Sequence, residues 1–192
     1  MGMANRYPKF KYALTATLLA VFLNAPDFVV ADTNSSTLDT LYQKLSTAPQ
    51  PEAALIEKEI RFLWQQSGSD VVDLLLQRAQ NAQQRSEYGL AAEHFSAVIE
   101  LAPEFSSGWT GRASAYLALD LVGPALEDLK HALRLDPHNF EALTGLGVIL
   151  EQLESFELAL QAYDEVLAIH PHLEQVLNAR SRVAEQVSGL PL

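Results

Sequence analysis

Three segments of this chain recur at a fixed interval. Ala91 to Pro103 reads AAEHFSAVIELAP, Ala125 to Pro137 reads ALEDLKHALRLDP and Ala159 to Pro171 reads ALQAYDEVLAIHP. The closing prolines stand 34 residues apart, twice. Such a period constrains the fold more than any local preference, because each unit is then one supersecondary element that must stack on its neighbours to bury its apolar face. In each segment an alanine is followed four residues on by Phe95, Leu129 or Tyr163, and three further on by Val98, Ala132 or Val166. At 3.6 residues per turn these positions share one helix face. The proline that ends each segment lacks an N–H and clashes with the preceding turn, so the helix stops there.

A second apolar-periodic stretch lies upstream of each segment, clearest in Trp109 to Tyr116 and Leu143 to Leu150. The spacing predicts two helices per unit. Small residues at Ala79, Ala113 and Gly147, facing Ala91, Ala125 and Ala159, allow the antiparallel pair to approach closely. Turn-formers separate the two helices: Ser86 to Gly89, Asp120 to Pro124 and Glu154 to Phe156. Pro124 suits a first helical turn.

These residues resemble the tetratricopeptide repeat, a 34-residue helix-turn-helix unit. The unit at 106–139 matches the family pattern with Trp109, Ala113, Tyr116, Ala125, Ala132 and Pro137, and Leu129 in an aromatic place. The unit at 140–173 matches with Leu146, Gly147, Ala159, Tyr163 and Pro171, and the unit at 72–105 with Ala79, Ala91, Phe95 and Pro103. Leu75 and Ala82 replace aromatics in the last of these. Arg78 and Arg112 replace the usual leucine, which predicts a buried stem with a head that reaches the surface. The resemblance implies an all-α, right-handed solenoid of about three units with N- and C-terminal capping helices.

The flanks read as those caps. Val176, Leu177, Ala179, Val183 and Ala184 form one stripe within 174–192. Within 32–71, Thr37 to Leu45 and Pro51 to Gln66 read as two amphipathic helices, the second with Ile56, Ile60, Leu63 and Trp64 on one face. The period fails there, since it would put Glu57 where a small alanine belongs, so this hairpin is a cap or a degenerate fourth unit. Trp64 either seals it on the array or ends the groove.

The first 31 residues read as a targeting segment. Arg6, Lys9 and Lys11 precede an uncharged, mostly apolar run from Tyr12 to Leu23, and Val29, Val30 and Ala31 offer small residues for cleavage between Ala31 and Asp32. The expectation is a periplasmic or secreted protein. An uncleaved anchor from about Ala13 to Ala31 is the alternative; it would place Asn24, Pro26 and Asp27 in lipid.

Thirteen Lys plus Arg stand against 24 Asp plus Glu, a formal charge of −11 that becomes −13 once residues 1–31 are removed. That sign repels phosphate backbones and anionic lipid heads, which argues against nucleic acid and leaves membrane contact to an uncleaved N-terminal segment. Zero cysteines exclude disulfides, thiolate metal sites and a cysteine nucleophile. His94, His131, His138, His170 and His172 form no zinc-binding helix, and neither a phosphate loop nor a nucleophile elbow occurs. His170 and His172 read as polar turn residues, His94 and His131 as solvated, and Trp109 and Tyr116 as core. Glu151, Glu154 and Glu157 decorate an exposed helix end, a poor setting for paired acid and base. No catalysis, cofactor or metal is expected.

In the family resembled, the first helices line a concave surface. That places Asp73, Leu76, Gln80 and Gln83, then Ser107, Thr110, Gly111 and Ser114, then Glu141, Thr144, Gly145 and Val148 on the inner face. Leu76, Gln80, Thr110, Gly111, Ser114, Glu141, Thr144, Gly145 and Val148 are the partner-binding candidates. The glycines either leave room for a partner's backbone or let helices pack closely, and the sequence leaves both open. Members that hold a C-terminal carboxylate use Lys, Asn and Arg, whereas the matching places here are Leu76, Gln80, Gly111, Glu141 and Gly145. The expected partner is a neutral or basic extended peptide or another protein's helix. The expected function is a non-catalytic scaffold or adaptor of the cell envelope, with a self-associating module as the alternative.

Overall fold

The computed structural model describes residues 29–189, with side chains from residue 35. The expected apolar targeting core lies outside the described residues. Among the described residues the chain is helical throughout: α1 Val29–Leu45, α2 Gln50–Leu63, α3 Asp70–Gln84, α4 Tyr88–Leu101, α5 Ser106–Ala118, α6 Val122–Leu135, α7 Phe140–Gln152, α8 Phe156–Ile169 and α9 Glu174–Ser188. None of these helices is long and apolar enough to cross a membrane. α1 begins eight residues before the Thr37 expected from the pattern.

The period is written into the backbone. Ser86, Asp120 and Glu154 adopt positive φ of 60°, 59° and 57°, one at the end of each first helix. After each, the next N–H reaches back over the turn: Glu87 to the Ala82 carbonyl, Leu121 to Tyr116 and Ser155 to Leu150, all at 2.9 Å. These are left-handed caps that satisfy the orphan carbonyls of α3, α5 and α7 and reverse the chain. The second helices then start at Tyr88, Val122 and Phe156, so part of each expected turn is already helix. Between units, Asn139 caps α7 by accepting from the Ala142 N–H at 3.0 Å.

The repeated small and large positions meet as the spacing requires. Ala79, Ala113, Ala91, Ala125, Ala159, Val98, Ala132 and Val166 are fully buried, and Phe95, Leu129 and Tyr163 nearly so. The helix pairs α3–α4, α5–α6 and α7–α8 stack in order, with α4 against α5, α6 against α7 and α9 over α8. In α9, Val176 and Val183 are buried while Leu177 remains largely exposed.

Gly111 and Gly145 are packing glycines. A Cβ at Gly111 would overlap the Phe95 ring, and one at Gly145 would press on both Leu129 methyls at 3.2 Å. Replacing Gly111 by alanine should therefore lower stability by about 1–3 kcal/mol in thermal or denaturant unfolding. Gly123→Ala, which adds its methyl to open space, should change it by less than about 1 kcal/mol.

Arg112 and Arg78 depart from the family leucine in different ways. Arg78 is exposed. Arg112 forks onto Asp128, Nε to Oδ2 at 2.7 Å and a terminal nitrogen to Oδ1 at 2.8 Å, and also donates to Ser96 Oγ at 3.0 Å. Its guanidinium lies 5.2 Å from the Trp109 ring centre and 5.7 Å from that of Tyr116. The aromatics expected in the core are instead half-buried, because they cover this ion pair. Asp128→Ala leaves the guanidinium without its counter-charge and should cost about 2–3 kcal/mol, below the fully buried range because Arg112 reaches solvent. Adding Arg112→Leu should restore most of the loss, read as the unfolding midpoint.

Candidate functional site

The first helices of the three units, α3, α5 and α7, line a groove of about 360 Å³. Seven of the nine candidate residues face it: Leu76, Gln80, Thr110, Gly111, Ser114, Glu141 and Gly145. Thr144 and Val148 lie outside its lining. Thr144 turns its hydroxyl back to the Phe140 carbonyl at 2.6 Å, and Val148 is exposed further along α7. Leu76 forms the floor and is itself part of the first unit's core. Gln83 donates to Ser114 Oγ at 3.1 Å, bridging α3 to α5 across the groove. The Thr110 hydroxyl bonds the Ser106 carbonyl at 3.2 Å and receives the Asn139 amide at 3.4 Å.

The remaining wall comes from a part of the chain for which the pattern offered Trp64 alone. Arg61, Trp64 and Gln65, from the end of α2, line the same groove. The α1–α2 hairpin packs on the third unit and not on the first. Its buried residues Leu41, Tyr42, Leu45, Ala53, Ile56, Ile60 and Trp64 share one core with Phe140, Leu143, Tyr163, Val166 and Val176. Trp64 lies 4.8 Å from the Phe140 ring centre, and its carbonyl accepts from Ser107 Oγ at 2.6 Å. It both seals the hairpin on the array and ends the groove.

Polar latches hold the hairpin in place. Tyr42 donates to Asp136 Oδ2 at 2.7 Å and receives the Trp64 indole N–H at 3.1 Å. Arg61 bonds Glu57 at 2.7 Å and pairs with Glu141. His170 Nε2 lies 3.0 Å from Glu57 Oε2, and His172 Nε2 lies 2.9 Å from the Ala48 carbonyl. His170 sits at the helix-ending turn as expected, but it is only 3% exposed and serves as a buried docking residue. His131 is likewise half-covered, stacked on Trp109 at 3.8 Å.

The latch uses positions that the repeat leaves free to vary. Ala102, Asp136 and His170 are the same place in successive units, each closing its second helix. The first unit has a methyl there, while the second and third offer a carboxylate and an imidazole. A signal was therefore present in the sequence, as two polar departures at one inter-unit position. It became readable only once Tyr42 and Glu57 were seen to face it.

Electrostatics follow from these contacts. Burial, the neighbouring Asp136 charge and the bond to it push the Tyr42 hydroxyl far above its ordinary range. Burial also raises the Asp136 carboxyl, against the bonds from Tyr42 and the His138 N–H. For Glu57 burial acts upward, but bonds from His170 and Arg61 and the Arg61 charge outweigh it and hold the carboxyl below its usual value. Among the described residues no group of three His, Asp or Glu side chains is arranged to hold a metal ion.

Glu57 titrates lower in the folded chain than in the unfolded one. Its contribution is complete above the ordinary glutamate range and is lost as pH falls through the folded value. Asp136 has the opposite sign, since its raised carboxyl takes up a proton earlier and favours the folded chain as pH falls. In a Trp109→Phe chain, where Trp64 is the remaining tryptophan, emission should shift red only as pH drops below the ordinary glutamate range. The same titration of a Glu57→Gln chain should lack that step.

Comparison with known proteins bears on the fold. A family model described as tetratricopeptide repeat matches residues 124–174. A TPR repeat-containing protein of Rhizobium etli is 28% identical over 93% of this chain and 96% of its own length. Hsp70-Hsp90 organizing protein 1 of Glycine max is 26% identical over 84% of this chain but only 27% of its own length. Among solved structures, the first TPR of Spaghetti (RPAP3) bound to an HSP90 peptide superposes with a TM-score of 0.59 at 21% identity. It covers 61% of this chain and 93% of that one. MamA superposes at 0.57 and 19% identity, covering 62% and 69%.

Proposed function

Since the chain is a tetratricopeptide-repeat protein, we propose that it is a non-catalytic adaptor that holds an extended segment of a partner protein along α3 and α5. The observation that carries this is the chemistry of the open groove. Apart from the paired Arg61 and Glu141, its polar lining is carboxamide and hydroxyl, from Gln65, Gln80, Gln83, Ser107, Thr110, Ser114 and Asn139. Such groups bond a peptide backbone in either sense without demanding one sequence. A second concavity on α3 continues the surface with Asp70, Asp73, Gln77, Asn81 and Gln84.

Charge narrows the partner. Among the described residues Arg61 is the only basic one lining the groove, and it is already paired with Glu57 and Glu141. An acidic segment, such as the HSP90 peptide SRMEEVD held by the RPAP3 domain, would meet no free counter-charge here. A neutral or basic segment fits, and the −11 charge of the chain would draw it in.

The compartment proposed is the cell envelope. The basic Arg6, Lys9 and Lys11 before an apolar run that ends short of a membrane span support export, with cleavage after Ala31. Intact mass of the exported protein separates a cleaved chain from an anchored one.

Arrayed peptides that differ only in carrying Lys or Glu test the groove. Lys-bearing peptides should bind the chain more tightly, with the advantage shrinking as salt rises. Gln80→Arg with Ser114→Arg should weaken them about tenfold or more by like-charge repulsion, while Glu100→Arg, on the outward face of α4, should not. Equal binding to all three proteins would move the site off this groove.

A further inference from the structure

The α1–α2 hairpin is bonded to the far end of the chain and tethered to its near end by very little. Its latch partners are distant in sequence: Tyr42 to Asp136, Glu57 to His170, Ala48 to His172 and Arg61 to Glu141. The first unit, next to it in sequence, has its own separate core of Val72, Leu76, Phe95 and Val98. Only the segment from Gln65 to Ser69 joins the two. It is a Ser-Gly-Ser turn in which Gly68 takes φ 83°, closed by Ser67 bonding Asp73 from both its N–H at 2.8 Å and its hydroxyl at 2.6 Å.

Large apolar side chains bracket that turn and remain in water. Leu55 and Phe62, one stripe of α2, are 70% and 60% exposed, and Val71 and Leu74 at the start of α3 are 61% and 47% exposed. The folded chain thus satisfies the hairpin fully and leaves the two helix faces flanking its hinge uncovered. A second copy resolves both features at once. Straightening the turn at Gly68 lets each hairpin enter the other copy's third unit, where every latch contact is available because the sequences are identical. The two hinges then come together, and the exposed apolar faces gain something to bury against.

We propose that this chain forms a two-fold dimer by exchanging its α1–α2 hairpins, with Leu55, Phe62, Val71 and Leu74 around the two hinges forming the new interface. The partner is a second copy of the chain. The seat on each copy is the third-unit surface of Asp136, Phe140, Glu141 and His170. The exchange keeps α3, α5 and α7 in place and brings the Arg61 and Trp64 wall of each groove from the other copy, so peptide binding and the cross-link below read the two proposals separately.

The absence of cysteine makes the test direct. One chain carries Ala48→Cys and another carries His172→Cys, and the two are mixed, incubated and treated with a short bismaleimide. A cross-link between the two chains is expected, with a two-copy mass by sedimentation at micromolar concentration. Phe62→Ser with Leu74→Ser should raise the dimer dissociation constant about tenfold or more. A single chain bearing both cysteines should then still cross-link within itself, showing that the hairpin keeps its seat. A one-copy mass at every concentration overturns the proposal, with the hairpin held in its own chain. A two-copy mass without the inter-chain cross-link, or one indifferent to Phe62 and Leu74, overturns it in favour of another face.

Discussion

The repeat units of this protein depend on close approach between small side chains and large ones. Gly147 lies against Tyr163 within the third unit, and Gly111 and Gly145 lie against Phe95 and Leu129 between units. Interiors pack at crystal-like density, so this spacing leaves little latitude: a methyl added at Gly111 meets the Phe95 ring. The Thr-Gly pairs of α5 and α7 illustrate the consequence. Their glycines serve the core behind them, and the groove in front inherits its shape from that packing.

A stack of identical units has two unsatisfied ends, and the chain treats them differently. At the C-terminal end α9 lays Val176 and Val183 onto the last unit in the ordinary way of a solenoid cap. The extra hairpin at the N-terminal side leaves the first unit's core separate and joins the same core as α9. The reason is chemical. The inter-unit position that is Ala102 in the first unit becomes Asp136 and His170 in the next two, and Tyr42 and Glu57 bond those two side chains.

That placement sets what the concave face can do. Trp64 and Arg61 of the hairpin form one wall of the groove beside Glu141 and Gly145 of α7, while α3 and α5 contribute most of its amide and hydroxyl groups. Arg61 contributes no free charge because two carboxylates already hold it. Restricting the groove and neutralising its one cation are therefore two results of a single docking event.

The sequence by itself determined the repeating unit. Period 34, the alanines at 91, 125 and 159 and the prolines at 103, 137 and 171 specify helix faces and helix ends, because these depend on neighbours three or four residues away and on a missing N–H. It also placed most of the inner face, since the units share one register. Tertiary structure alone decided where the unperiodic hairpin goes, what Glu57, His170 and Trp64 do, and why Thr144 and Val148 fall outside the groove. Those outcomes rest on contacts between residues as many as 124 positions apart. Such pairings depend on which buried polar groups find partners, and no local pattern records that before the chain has folded.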